Sequence, residues 1–238
     1  MGDNARRADV LSGPGRSSRA GLVPKTRRAR EGNERTPGSA TAPGDLMRLF
    51  VAIAPPAAVL DELDAWVEPF RARRLDLRWT NRAAWHVTLA FLGQVNETTT
   101  AELLPRLEHA AQRHQQVGLA FAGAGAFPAA RRANVLWSGL SGDCEALAAL
   151  AESVAAGASC AGASPPDRGR SFQPHLTLAR CRMAADVTGL VAALSAYQGQ
   201  LWTADRLHLV RSRLGATESP RYVSLASWPL RTPPVTPG

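Results

Sequence analysis

One five-residue pattern occurs twice in this chain, as His86-Val87-Thr88-Leu89-Ala90 and, 89 residues later, as His175-Leu176-Thr177-Leu178-Ala179. A His-x-Thr triplet alone carries little weight in a chain with five histidines and 14 threonines. Two copies of the whole pattern, one in each half of the chain, constrain the fold much more strongly. Both copies are short, rich in strand formers, and read as β-strands. Side chains alternate across a strand, so His86 and Thr88 share one face while Val87 and Leu89 share the other. The second copy divides in the same way. A fold that houses both needs two equivalent strands, each with a polar face toward a cleft and an aliphatic face toward a core.

The rest of the sequence supplies the elements around these strands. Residues 48–53 form an apolar strand. Pro55 and Pro56 open a helix with Leu60, Leu63, Trp66, Val67 and Phe70 on one face. Residues 78–80 and 85–93 read as strands, the second ending in a turn at Gly93. An amphipathic helix over 98–116, interrupted by Pro105, carries His109 and His114. Strands at 117–126 and 134–139 flank a turn with Pro128, Arg131 and Arg132. A helix over 143–157, a Gly/Ser/Pro/Arg loop over 158–172, the strand at 175–182, a helix near 184–196, and strands at 200–211 and 221–229 complete the chain. This interleaving predicts an α+β class: two pseudo-symmetric lobes, their antiparallel sheets facing a central cleft and their helices packed outside.

Composition narrows the chemistry. The net charge of +8 suggests a polyanionic partner, but half of it lies in residues 1–46, which hold nine Lys/Arg and five Asp/Glu. The remainder is only mildly basic, which favours a local anion site over a broad nucleic-acid surface. Lys25 is the only lysine, so the core cannot host a covalent nucleotidyl-lysine, and no P-loop pattern occurs. Cys144, Cys160 and Cys181 have neither the even count of a disulfide framework nor zinc-site spacing. The expectation is therefore a reduced, cytoplasmic chain with no resident metal and no membrane segment.

Residues 1–46, rich in Arg, Gly, Ser and Pro, lack apolar periodicity and are expected to be a disordered basic extension. A natural start at Met47 is the competing reading. Residues 47–230 form the expected folded domain, and 231–238 a flexible C-terminal tail.

Two imidazoles and two hydroxyls converging on one pocket suit a cyclic phosphodiester. Ring opening needs a base for the attacking water and an acid for the departing ribose oxygen, and histidine can serve as either near neutrality. Threonine hydroxyls can donate to the non-bridging oxygens as their charge grows. A lone strand histidine is ordinarily a packed or solvated residue, so this reading rests on the pair. His109, His114 and His208 have no such partner, and the first two are expected on the wet face of their helix.

The pair of motifs resembles the two-histidine (2H) phosphoesterases, and within them the RNA 2',3'-cyclic phosphodiesterases, historically called 2'-5' RNA ligases. The similarity spans 47–230. It includes the opening Met47-Arg48-Leu49-Phe50-Val51-Ala52, the continuation Phe91-Leu92-Gly93, Gly125-Ala126-Phe127-Pro128, Val135-Leu136-Trp137, the stretch from Phe172 to Arg180, and Arg211-Ser212-Arg213-Leu214. The resemblance implies hydrolysis of an RNA 2',3'-cyclic phosphate to a 2'-phosphomonoester, a reaction for which the two-histidine chemistry itself calls on no metal or cofactor. It makes His86 the proton donor to the leaving 3' oxygen, His175 the proton acceptor from water, and Thr88 and Thr177 the phosphate holders. The residues alone leave acid and base unassigned, because the two halves are pseudo-equivalent. Arg180 is a secondary phosphate candidate, since strict alternation turns it away from the cleft unless a bulge intervenes. Trp85 and Phe91 could stack on a base, with core packing the preferred role for both. The competing functions are hydrolysis of another cyclic phosphate or of a 2',5'-linked phosphodiester on the same scaffold, a non-catalytic RNA-end-binding module and, ranked lowest, net 2'-5' ligation by the reverse reaction. RNA is the expected partner and a monomer the expected state.

Overall fold

The computed structural model describes residues 46–163, 171–213 and 221–233. Residues 1–45 of the expected basic extension and 234–238 of the expected tail lie outside these residues. The described elements run β1 (Met47–Ile53), α1 (Ala57–Arg73), β2 (Leu77–Trp79), β3 (Val87–Val95), α2 (Glu97–Arg113), β4 (Val117–Phe127), β5 (Ala133–Gly142) and α3 (Cys144–Cys160). They continue as β6 (His175–Ala185), α4 (Thr188–Leu194), β7 (Trp202–Ala204), β8 (Arg206–Arg213) and β9 (Arg221–Pro229). Arg231, at the start of the expected tail, bridges Gln115 and hydrogen-bonds to the backbone of His114 and Gln116.

The class is α+β with antiparallel strand pairing. The strand order is β7-β4-β5-β6-β3-β1-β8-β9, with β2 also on β6. Within it lie two four-stranded halves, β3-β1-β8-β9 and β6-β5-β4-β7, each with a motif strand at its inner edge. They join at one residue pair, Val87 with Leu176. These halves are not the N- and C-terminal halves of the chain. The segment expected as one strand at 200–211 breaks at Asp205: β7 pairs with β4, whereas β8 pairs with β1 in the other half. The C-terminal strands therefore complete the half that the N-terminal strand begins.

Alternation along β1 shows how each half is layered. Leu49, Val51 and Ile53 are buried in the main core with Val59, Leu60, Leu63 and Val67 of α1 and with Leu103 and Leu107 of α2. Phe50 and Ala52 point to the opposite face, where they form a small second cluster with Val210 and Tyr222. Trp66, expected on the buried stripe of α1, is 38% exposed and lies against Tyr197.

Three local expectations are corrected. Gly93 does not end its strand, because β3 continues to Val95. Leu49 pairs with Gly93 and Phe50 with Phe91, so Leu92 is the extra residue of a bulge, and Gly93 takes a left-handed φ of 72° there. Pro105 does not interrupt α2, which runs through it with Leu103, Leu107, Ala110 and Ala111 buried on either side. Burial of that stripe offsets the lost backbone hydrogen bond. Asn96 caps the helix, its side chain accepting from the Thr99 amide at 2.8 Å. The helix near 184–196 contracts to Thr188–Leu194 because β6 extends to Ala185.

Candidate active site

His86 immediately precedes β3 and His175 opens β6. The Val87–Leu176 pair lies between the two motifs. Carried one residue either way, its antiparallel register sets His86 against Thr177 and Thr88 against His175. All four side chains then share one face at the junction of the halves.

Each imidazole is anchored in the same way. His86 Nδ1 lies 2.8 Å from the Ala84 carbonyl, and His175 Nδ1 lies 2.7 Å from the Gln173 carbonyl. In both, the acceptor is two residues upstream. A carbonyl can only accept, so Nδ1 carries a hydrogen in both rings and Nε2 is left for exchange with a ligand. Among the described residues, no hydrogen bond occupies either Nε2 or the hydroxyl of Thr88 or Thr177.

Aromatic rings hold each imidazole from the sides. Phe50 stacks on His86 at 4.6 Å between centroids, and Tyr222 meets it edge-on at 5.0 Å. Phe127 meets His175 edge-on at 5.0 Å, with Trp137 at 6.1 Å. None of these four aromatics was identified as part of the site from the motifs alone. Period-two alternation along β1 was the available signal for Phe50, which must face away from Leu49 and Val51.

Both motif strands carry a bulge just after the threonine. In β3, Thr88 pairs with Ala52 and Ala90 with Val51, leaving Leu89 extra. In β6, Thr177 pairs with Trp137 and Ala179 with Leu136, leaving Leu178 extra. Leu89 and Ala90 are accordingly both buried, as are Leu178 and Ala179. The bulge resets alternation, so Phe91 and Arg180 turn to the same face as the histidines. This is the condition on which the placement of Arg180 depended. Phe91 is 41% exposed there, whereas Trp85 is 5% exposed and belongs to the core.

The electrostatics follow from burial and from Arg180. Burial pushes His86 down to about 4, opposed by its bond to the Ala84 carbonyl and reinforced by the charges of His175 and Arg180. Burial also lowers His175, opposed by the Gln173 carbonyl and reinforced by Arg180. Burial raises Tyr222, with Arg180 and Arg48 acting the other way.

The other histidines separate. His109 is exposed on α2. His114, expected on a wet face, is half-buried, and its Nε2 meets Ser153 Oγ of α3 at 2.8 Å, which ties the two helices together. His208 pairs with Ala52, which in turn pairs with Thr88, so it shares the site's face two strands away. The three cysteines are free thiols. Among the described residues, no group of three or more His, Cys, Asp or Glu side chains converges as a metal site would require. No helix among them is long and apolar enough to cross a membrane.

A sheet in two pseudo-equivalent halves, with a His-x-Thr strand at each inner edge, defines a class that comparison with known proteins identifies. The model of the 2'-5' RNA ligase superfamily matches residues 59–216, and the chain belongs to that family. Among curated relatives, proteins named RNA 2',3'-cyclic phosphodiesterase from Aeropyrum pernix and Aquifex aeolicus are similar. The first is 36% identical over 110 residues, covering 46% of this chain and 60% of that protein. The second is 30% identical over 105 residues, covering 44% and 55%. The chain thus spans less than two thirds of these relatives' lengths. Two crystal structures share the fold: a protein of Thermus thermophilus, with TM-score 0.62 and 28% identity over 78% of this chain and 99% of that one, and E. coli LigT complexed with 3'-AMP, with TM-score 0.62 and 24% identity over the same shares.

Proposed function

We propose that this protein hydrolyses RNA 2',3'-cyclic phosphate ends to 2'-phosphomonoesters, with His86 and His175 as a metal-independent acid–base pair. The observation that carries the reading is the matched anchoring of the two imidazoles. Each has Nδ1–H committed to a carbonyl and Nε2 open on a shared face. Two such groups on either side of one phosphate can take a proton from water and deliver one to the leaving oxygen. The names of the curated relatives support the substrate class.

In the free protein His86 is neutral near pH 7, because its pKa is held near 4. An entering phosphodiester anion favours an imidazolium and counters the charge of Arg180, so a proton is taken up together with the substrate. His86 is the donor to the 3' oxygen in this scheme. Its low pKa makes its imidazolium the stronger acid, and burial keeps it from sharing that proton with solvent. His175, less buried, accepts the proton of the attacking water. The free hydroxyls of Thr88 and Thr177 donate to the non-bridging oxygens, and Arg180 adds positive charge at the same face.

The test is a short RNA ending in a 2',3'-cyclic phosphate, incubated with wild-type protein in EDTA, with the product phosphate located on the 2' or 3' oxygen. A 2'-phosphate is expected. A 3'-phosphate would contradict the assignment of the leaving group, and loss of activity in EDTA would contradict metal independence. Binding without turnover would favour an RNA-end-binding module.

A further inference from the structure

Two arginines face each other across β2 and β6 next to this site. The register pairs Arg78 with Arg180, Leu77 with Cys181 and Trp79 with Ala179. Opposed residues of an antiparallel pair project to the same face, so Arg78 shares the face to which the bulge has turned Arg180. Both are exposed. Like charges directly opposite destabilise a strand pair, and a neutralising carboxylate would remove the penalty. Neighbouring Arg74 has one: its Nε and Nη2 each lie 2.8 Å from the oxygens of Asp76. Among the described residues, Arg78 and Arg180 have none.

Their position is as informative as their charge. The segment 77–88 runs beside β6, with Arg78 against Arg180, the Thr80 amide donating to the Leu178 carbonyl at 2.8 Å, and Val87 against Leu176. The arginine pair therefore lies beyond Thr177 along the line where the halves meet, about three residues or 10 Å of strand from it. Two planar guanidiniums on one face match the geometry of a phosphate.

We propose that Arg78 and Arg180 form a second phosphate subsite, which holds the phosphodiester next to the reacting end and makes an RNA strand a better substrate than a mononucleotide. This rests on the hydrolase reading above and extends it to substrate length. Arg180 spans both subsites; Arg78 belongs to the outer one.

The test compares wild type, Arg78→Gln and Arg78→Lys on a short RNA with a 2',3'-cyclic phosphate end and on the mononucleoside 2',3'-cyclic phosphate. Arg78→Gln is expected to lower kcat/KM for the RNA about tenfold more than for the mononucleoside, the size of one lost charged contact. Arg78→Lys keeps the charge without the planar fork and should fall between. Thermal unfolding of Arg78→Gln should occur no lower than in wild type, because a repulsion has been removed. Equal proportional losses on both substrates, or no loss on the RNA, overturn the subsite.

Should wild type turn over neither substrate, the hydrolase reading fails and binding decides the subsite separately. A 3'-phosphorylated RNA of the same length should bind wild type more tightly than Arg78→Gln, with the slope of log K against log salt smaller by about 1 in the variant. Identical affinities and slopes would overturn the subsite on that arm.

Discussion

An imidazole whose one nitrogen is committed to a fixed acceptor presents the other in a defined tautomer and direction, and for His86 and His175 the backbone supplies that acceptor. Ala84 and Gln173 each lie two residues upstream of their histidine and accept from its Nδ1. Arg180 then tunes the pair electrostatically. Its positive charge disfavours a second positive charge nearby, so it lowers both histidines. The sign gives a direct prediction: Arg180→Met raises the pKa of His86 and of His175, and their ring resonances titrate at higher pH by NMR. Unmoved titrations would place the guanidinium away from the imidazoles. His86, Thr88, His175 and Thr177 stand out in the sequence as candidates because each motif repeats a pattern that chemistry can interpret, and the strand register sets all four on one face. The two carbonyls do not stand out, since a backbone acceptor leaves no trace in residue identity.

At the level of elements, the decisive features are the two bulges. Strict alternation from His175 turns Arg180 away from the cleft, and strict alternation from His86 turns Phe91 away as well. One extra residue in each strand, Leu178 and Leu89, reverses both. Nothing in Leu-Ala marks a bulge, because both residues suit a regular strand, and only the pairing with β5 and β1 reveals it. Gly93 shows the opposite case: glycine signalled a break in regular pairing, and the break is a bulge within a strand that continues. The strand pair β4–β5 supplies a second prediction. Gly125 pairs with Trp137, and a Cβ at Gly125 would collide with the indole that, with Phe127, flanks His175. Gly125→Ala should destabilise the protein by about 1–3 kcal/mol in urea unfolding, as overpacking does, and lower turnover at the same time. Wild-type stability would mean that the indole moves aside freely.

At the scale of the whole molecule, the described strands form two pseudo-equivalent half-sheets that meet at one residue pair, and the candidate site lies where they meet. The α+β class, the paired motif strands and most element positions were legible in the sequence. The return of β8 and β9 to the N-terminal half was not, because strand order is a long-range property that local periodicity does not encode. In the proposed mechanism the two histidines, one from each half, act as one acid–base pair, so their contributions should not add. The most direct measurement is the rate on an RNA 2',3'-cyclic phosphate by wild type, His86→Ala, His175→Ala and the double variant. Each single change is expected to cost at least about 100-fold, and the double little more than either single, because one missing proton transfer already disables the pair. Near-wild-type turnover by either single variant would contradict the two-histidine account.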